Sequence, residues 1–157
     1  MSLEYVISEL QILLDVVIAS ILAGIVGIER EIGQKPAGFR THMIIGGASA
    51  LLISMGQVLV LHFKQLPEVA QLIQTDPIRI IEAIIVGISF IGAGTILKSQ
   101  SDQRVRYLTT AASVLFAAGI GMSVALHHYV LAVGVTIIIL LVNYTANLID
   151  RMLSKRK

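Results

Sequence analysis

The sequence has no cysteine and no tryptophan, and only 14% of its residues are charged. Without cysteine, the chain cannot form disulfides, thiolate metal sites or a cysteine nucleophile. It also has no P-loop, no HExxH zinc motif and no nucleophile triad, so nothing supports an ATPase or a hydrolase. We therefore expect a protein without enzymatic activity and without a cofactor, apart from a Mg²⁺ ion considered below.

Apolar residues make up 55% of the 157 residues, which is more than one small soluble domain covers with polar surface. A helix needs about 20 apolar residues to cross the hydrocarbon layer of a membrane. Segments of that kind lie at about residues 10–28, 42–62, 78–97, 107–126 and 129–149. These runs do not alternate apolar with polar residues as barrel strands do. The prediction is an all-α polytopic membrane bundle of about five helices, forming one domain over residues 1–157.

The basic residues cluster at the ends of the apolar runs and predict the orientation of the chain. Five spans place most of them on one side of the membrane, namely Arg30, Lys35, Arg40, Lys98, Arg104, Arg106, Arg151, Lys155, Arg156 and Lys157. The positive-inside rule puts that side, with the C-terminus, in the cytoplasm and the N-terminus outside. Because the net charge of +2 arises from these clusters, we expect membrane lipid and no nucleic acid as a partner.

The two halves of the chain show a weak internal repeat. Each half has a glycine-rich helix, then a basic loop, then a helix that opens on a threonine. The aligned pairs, at offsets of 68 or 69 residues, are Gly24 and Gly92, Arg30 and Lys98, and Thr41 and Thr110. A parallel two-helix duplication would place a site at the interface between the halves. The alternative is that glycine-rich membrane helices resemble one another by composition alone.

Small residues recur at four-residue spacing in the first span, and glycines recur in the third. Such residues allow helix backbones to approach each other closely. We predict that they pack helices together within the chain, and the alternative is a face that forms a homodimer. The glycines concerned are Gly24, Gly27, Gly87, Gly92 and Gly94.

Two acidic residues, Asp15 and Glu82, interrupt apolar runs in the outer halves of their spans. A charge within lipid costs several kcal/mol, so such groups usually face a cavity or a partner. One interpretation is an outer vestibule in which both carboxylates attract a cation such as Mg²⁺, which prefers oxygen ligands and keeps several waters. The alternative for Glu82 is an ion pair with Arg79, three residues earlier on the same helix face.

The segment GIEREIGQKPAGFRTH, residues 27–42, carries charges of both signs around a turn. Mixed signs predict a local network rather than a lipid-binding basic patch, which would have a single sign. One interpretation is anchoring at the interface, with Glu29 or Glu31 paired to Arg40. The other is a cytoplasmic docking or ligand site. Further along, Asn143 in the fifth span is expected to hydrogen-bond across helices.

Three segments together resemble the MgtC/SapB family of bacterial inner-membrane proteins. They are GIVGIEREIGQKPAGFRTHMIIGGASALL (residues 24–52), DPIRIIEAIIVGISFIGAGTILK (residues 76–98) and VRYLTTAASVLFAAGIGM (residues 105–122). KPAGFRTH in combination with GISFIGAG makes the resemblance specific. It implies an inner-membrane protein linked to magnesium homeostasis, growth at low magnesium and, in some pathogens, virulence. Many members carry a C-terminal cytoplasmic domain, whereas this chain ends at RMLSKRK.

The resemblance also implies partners and a cytoplasmic element. Members look like regulators as much as transporters, acting on the ATP synthase membrane sector or on a P-type Mg²⁺ ATPase. The family's motifs fall here on Glu29, Arg30, Lys35, Arg40 and Thr41. Their expected counterparts in the second half, which should meet them in space, are Arg106, Thr109 and Thr110. We therefore expect a regulator of a partner membrane protein, with a Mg²⁺ or K⁺ channel or carrier as the alternative.

Overall fold

A computed structural model describes residues 3–65, 77–97 and 107–154, and these residues form five helices and no strand. The helices are α1 (Leu3–Ile32), α2 (Phe39–Lys64), α3 (Pro77–Leu97), α4 (Leu108–Ala125) and α5 (Tyr129–Ser154). All five are long and apolar enough to cross a membrane. The predicted all-α membrane bundle is therefore confirmed, and each predicted span coincides with one of these helices.

Local sequence explains where the helices begin and end. Proline has no N–H to leave unpaired and fits the first turn of a helix, and Pro77 is the first residue of α3. The sequence Asp76-Pro77 also predicts that the Asp76 side chain caps this helix, but Asp76 lies outside the described residues. Between α1 and α2, Gln34 takes a left-handed backbone conformation (φ 53°), which turns the chain within six residues. His127, with φ 60°, does the same between α4 and α5.

Small residues bring α1 and α2 together as an antiparallel pair. A Cβ at Gly24 would lie 2.7 Å from Cγ of Met43, and a Cβ at Gly27 would lie 2.8 Å from Cα of Phe39. Further along, Gly46 of α2 packs in the same way against Ala23 of α1. Only residues without a side chain, or with a methyl group, permit such an approach. Gly24 and Gly27 thus both lie at the contact between α1 and α2, where a side chain would not fit.

The parallel helices α2 and α4 form the centre of the bundle. A Cβ at Gly121 would collide with the carbonyl oxygen of Gly46, so the two backbones touch directly. Four residues towards the N-terminus of α4, the carbonyl of Ala117 also lies against Gly46. The fully buried small and β-branched residues around this contact are Ala19, Ala23, Ala50, Val114, Ala117 and Ala118. The core is therefore held by close backbone packing rather than by large side chains.

The contacts between helices agree with a parallel two-helix repeat. α1 and α3 each touch both central helices and do not contact each other over the described residues. Gly24 packs on Met43 in the first half, and Gly92 packs on Ala111 in the second. Both pairs are related by the same offset of 68 residues (92 − 24 and 111 − 43). Equivalent glycines thus make equivalent contacts, which composition alone would not produce.

Two glycines of α3 depart from the predicted packing role. A Cβ at Gly87 or Gly94 would meet nothing within 4 Å among the described parts of the chain. α3 lies at the edge of the bundle and touches only α2 and α4. Its remaining faces are turned away from the other described helices, so Gly87 and Gly94 pack against none of them. Of the three predicted glycines of α3, only Gly92 is at a helix contact.

Helix α5 lies outside the repeat and runs parallel to α1. It packs against α4 and α1. Polar bonds join α1 to α5 near both ends, from Asp15 to Tyr129 and from Glu29 to Asn143, and both pairs are 114 residues apart in sequence. The 14 residues between Asp15 and Glu29 correspond to about 21 Å of helix. α5 is therefore attached at two points separated by most of the membrane thickness.

Candidate functional site

The Glu29 network, which we define as Glu29, Arg30, Asn143 and Asn147, joins the C-terminal part of α1 to α5. Glu29 Oε2 accepts hydrogen bonds from Arg30 Nε at 2.6 Å and Asn143 Nδ2 at 2.9 Å. Its Oε1 accepts from Asn147 Nδ2 at 3.2 Å. Arg30 is almost fully buried, and the adjacent carboxylate compensates its charge. The predicted role of Asn143 in bonding across helices is confirmed, whereas nothing in the sequence indicated Asn147.

The turn between α1 and α2 is organised by Glu31. Its Oε2 accepts the backbone N–H of Phe39 at 2.8 Å, which satisfies one of the free donors at the start of α2. Neither Glu29 nor Glu31 pairs with Arg40 in the described structure, so the predicted ion pair is wrong. Glu29 and Glu31 instead accept hydrogen bonds from other donors, such as Arg30 and the backbone N–H of Phe39. Lys35 and Arg40 are exposed, and their charges are free to meet another molecule.

His42, which was not singled out from the sequence as a buried group, connects the two halves of the repeat. It is 0% exposed, and its Nδ1 donates to the carbonyl of Gly38 at 2.9 Å. Its Nε2 lies 3.1 Å from Oγ of Ser113 on α4. The family motif that ends in Thr41-His42 thus reaches the second half through the histidine. Thr41 itself is half-buried and makes no bond to a described residue.

The predicted counterparts in the second half differ in their placement. Thr110 is fully buried, its carbonyl accepts from Ser113, and its own hydroxyl has no partner among the described residues. Thr109 is exposed on the same helix turn. Arg106 lies outside the described residues, so the predicted meeting of Arg40 and Arg106 stays a prediction. The contact observed between the halves at this end of the bundle is His42 with Ser113.

Asp15 lies at the opposite end of the bundle and is 3% exposed. Its Oδ1 accepts a hydrogen bond from the hydroxyl of Tyr129 at 2.8 Å. Because that hydroxyl proton is used, the phenolic oxygen accepts in turn from His127 Nδ1, 3.0 Å away. His127 Nδ1 also lies 3.6 Å from Oδ2 of the carboxylate. A buried carboxylate is thus oriented by Tyr129 at the start of α5, and His127 in the α4–α5 link lies beside it.

The structure does not bring Asp15 and Glu82 together. Glu82 is exposed on α3, and α3 makes no contact with α1 over the described residues. The predicted two-carboxylate vestibule is therefore corrected, since Asp15 faces α5 and a separate cavity. Glu82 and Arg79 form no ion pair within this described segment of α3 either.

A small cavity, lined by both polar and apolar residues, lies beside Asp15. Its volume is about 150 Å³. Side chains from α1, α2 and the α4–α5 link enclose it, including Ser8, Gln11, Asp15, Ser54, Gln57 and His127. Within the described ranges, no group of three histidines or acids could ligate a metal directly. This site therefore offers one charged oxygen pair surrounded by neutral donors and acceptors.

Five apolar helices with ordered polar groups near both ends define a small polytopic membrane protein. The model of the MgtC family matches residues 16–152, and the chain belongs to that family. YhiD of Escherichia coli K12, named a putative magnesium transporter, is 35% identical over 132 residues, which cover 84% of this chain and 59% of the relative.

Two further relatives give the same result. SapB of Bacillus subtilis strain 168 is 36% identical over 118 residues, which cover 75% of this chain and 49% of SapB. MgtC of Salmonella typhimurium LT2 is 33% identical over 131 residues, which cover 83% of this chain and 50% of MgtC. The chain thus spans about half the length of the curated relatives it matches. No solved structure matches it.

Proposed function

We propose that this chain is a non-enzymatic bacterial inner-membrane protein of magnesium and membrane-energy homeostasis that regulates a partner membrane protein. Two observations support the link to magnesium. The chain belongs to the MgtC family, and its relative YhiD is named a putative magnesium transporter. The basic residues at the ends of the spans support an N-terminus outside and a C-terminus in the cytoplasm.

The closed centre of the bundle is the observation that carries the regulatory proposal. α2 and α4 touch backbone to backbone at Gly46 and Gly121, and alanine methyl groups fill the space around that contact. A conducting path needs polar groups or water along its length. The two buried charged residues of the described structure, Asp15 and Arg30, instead belong to separate clusters, and the buried polar groups between them are hydroxyls such as Ser49 and Thr136. This arrangement favours action through binding over conduction through one copy of the chain.

The turn between α1 and α2 is the docking surface we favour. Glu31, Lys35 and Arg40 are exposed there, beside the rigid Glu29 network. Exposed charges of both signs suit recognition of a complementary protein surface. The partners we favour are the ATP synthase membrane sector and a P-type Mg²⁺ ATPase. Separately, Gly87 and Gly94 on the outward side of α3 offer a face for a homodimer.

Charge reversal at this turn tests the proposal. We would co-express the tagged chain with each partner and measure the partner recovered after solubilisation. The double variant Lys35→Glu/Arg40→Glu should lower recovery at least about tenfold, because a partner surface complementary to these two cations would then face two carboxylates. Arg79→Glu, an exposed basic residue at the start of α3, is the matched control and should leave recovery unchanged. Equal recovery of the partner with all three proteins would refute docking through this turn.

The second candidate function is a Mg²⁺ or K⁺ channel or carrier. Asp15 favours this candidate, because ionisable groups buried within membrane spans often mark ion pathways. The relative YhiD, named a putative magnesium transporter, also favours it. The test is flux of either ion into liposomes that contain the purified chain, wild type against Asp15→Asn. Flux that requires Asp15 would favour transport, and no flux under a gradient would favour the regulator.

A further inference from the structure

His42 is an ionisable group buried where three helices meet, and the proposed docking does not yet use it. It is 0% exposed and lies in the first turn of α2. Its Nε2 is 3.1 Å from Oγ of Ser113 on α4. A Cβ at Gly27 of α1 would lie 2.9 Å from the Cβ of His42, so α1 packs directly on the histidine. Because histidine changes its charge in the physiological pH range, a proton taken up here acts on the packing of all three helices.

The hydrogen bonds around His42 suit the ring both with and without a second proton. The carbonyl of Gly38 only accepts, so Nδ1 carries a proton in either form. The hydroxyl of Ser113 has one hydrogen and two acceptors within reach, Nε2 of His42 at 3.1 Å and the carbonyl of Thr110 at 2.9 Å. In the neutral ring, this hydrogen points to Nε2. In the ionised ring, Nε2 donates to Oγ of Ser113, whose hydrogen turns to the carbonyl of Thr110.

The charged groups around His42 oppose the second proton while the ring stays buried. Arg30 and Glu29 of α1 are the described charged groups that act on His42, and they form an ion pair with each other. Helix α4, on the other side, has no acidic, basic, histidine or tyrosine residue along Leu108–Ala125. Because the ion pair is already neutral, a proton on His42 adds a positive charge that no described neighbour compensates. A buried charge of that kind is strongly unfavourable.

The remaining charges on the elements that touch α2 do not remove this cost. Arg40 is exposed and has the same sign as the ionised ring. Helix α3 carries Arg79 and Glu82 in its first turns, beside the far end of α2. Glu31, in the turn before α2, accepts the backbone N–H of Phe39. The ionised ring is therefore stable only where water reaches it.

His42 also holds the turn between α1 and α2. Gly38, whose carbonyl accepts from the ring, is the residue immediately before α2. Ala37, the next residue back along the turn, is only 2% exposed. Loosening the first turn of α2 is the shortest way to bring water to the ring, and the same movement exposes Ala37.

We propose that His42 is a proton-binding site that controls the shape of the α1–α2 turn. At neutral pH, the uncharged ring holds Gly38 and keeps the turn closed. At acidic pH, the ionised ring draws in water, the first turn of α2 opens, and Lys35 and Arg40 are presented in a different arrangement. His42 is thus a positioning residue for the docking surface, and the proposed orientation exposes it to the pH of the cytoplasm. The inference rests on the proposed function only for the role of that surface.

Labelling of single thiols in the turn tests the inference. The chain has no cysteine, so Ala37→Cys supplies one buried thiol and Lys35→Cys one exposed thiol. We would measure the rate at which a maleimide labels each purified full chain in nanodiscs at about pH 7.5 and about pH 5.5, on either side of the ordinary pKa of histidine. The ratio of the Ala37→Cys rate to the Lys35→Cys rate cancels the pH dependence of the thiol chemistry. We expect this ratio to rise about 3–100-fold on acidification, because one coupled proton changes an equilibrium by at most about tenfold per pH unit.

Two uncharged replacements separate the histidine from the nearby carboxylates. His42→Asn keeps a donor near the position of Nδ1, and His42→Gln keeps an acceptor near the position of Nε2. Neither side chain takes up a proton in this range, so the rate ratio should be equal at both pH values. His128→Gln, which removes an exposed histidine from the other end of the bundle, is the matched control and should leave the rise unchanged.

Three results would overturn the inference. One is a rate ratio that does not rise with His42 in place, and this result decides even if neither His42 variant folds. Another is an equal rise in both His42 variants, which would assign the response to Glu29 or Glu31. The third is loss of the rise in His128→Gln. The assay contains no partner, so a failure here leaves the recovery experiment on the α1–α2 turn standing, and the converse also holds.

Discussion

The contact between Gly121 and Gly46 gives the most exacting prediction about stability. A Cβ at position 121 would overlap the carbonyl oxygen of Gly46 and lie 3.0 Å from Cβ of Ser49. Both neighbours belong to α2, and a backbone carbonyl cannot move aside by changing rotamer. Gly121→Ala should therefore force α2 and α4 apart. Gly119, two residues earlier on the same helix, provides the matched control, because a Cβ there meets nothing within 4 Å of the described structure.

The magnitude follows from two opposing terms. Alanine is better than glycine within a helix by about 1 kcal/mol, and both substitutions gain this term. Overpacking a filled core costs about 1–3 kcal/mol or more, and only Gly121→Ala bears that cost. The two variants should differ by the overpacking term. For a chain of this size, that corresponds to a difference of about 2–12 °C in apparent Tm.

The assay is heating in detergent followed by size-exclusion chromatography, which measures how much monodisperse protein remains at each temperature. Gly119→Ala should match or exceed the wild type, and Gly121→Ala should fall below both. Equal apparent Tm values for the two variants would refute the direct backbone contact and, with it, the closed centre on which the regulatory proposal depends.

Three further substitutions test the attachment of α5 and the outward face of α3. Tyr129→Phe removes the donor to the buried carboxylate of Asp15 and should lower the free energy of unfolding by about 1–3 kcal/mol, measured by the same heating assay. Tyr144→Phe, at an exposed position on the same helix, should change nothing. Glu29→Gln, which loses charge-assisted bonds, should destabilise by about 1–3 kcal/mol, and an unchanged Tm would contradict the Glu29 network. Gly87→Ala should be neutral or stabilising, and destabilisation would reveal a second copy packed on this face.

The helices were predictable from sequence because apolar length is a strong local signal. Each of the five predicted spans coincides with a helix, and the glycine at the start of the repeat alignment, Gly24, makes the contact that its partner Gly92 makes in the second half. These features depend on segments of about 20 residues or on a fixed offset. Both can be read from the chain without knowing how its helices pack.

The partners of individual polar groups could not be predicted in the same way. Asp15 was recognisable as a costly charge in an apolar run, but its donor Tyr129 is 114 residues away. A sequence does not reveal how far each helix is rotated about its own axis relative to its neighbours. A rotation of about 100°, which is one residue of an α-helix, would replace the side chains that face the neighbouring helix. The same reason explains why Glu82, on a helix that does not contact α1 over the described residues, was wrongly paired with Asp15.

His42 shows a signal that sequence reasoning can use in similar chains. It lies one turn inside a membrane helix, in a motif that was interpreted as a charged surface loop. A histidine at that depth must satisfy two ring nitrogens, and here Gly38 and Ser113 do so. A polar residue that follows the last loop glycine by about one turn therefore indicates a contact between halves rather than a surface.

The orientation of the chain is the claim on which both proposed sites depend, and single-cysteine labelling tests it most directly. The sequence has no cysteine, so each introduced thiol is the only one present. A membrane-impermeant maleimide applied to intact cells should label His128→Cys in the α4–α5 link. It should reach Lys35→Cys in the α1–α2 turn only after the membrane is permeabilised. Labelling of Lys35→Cys in intact cells would contradict the account, because the docking turn and the His42 site would then face the outside.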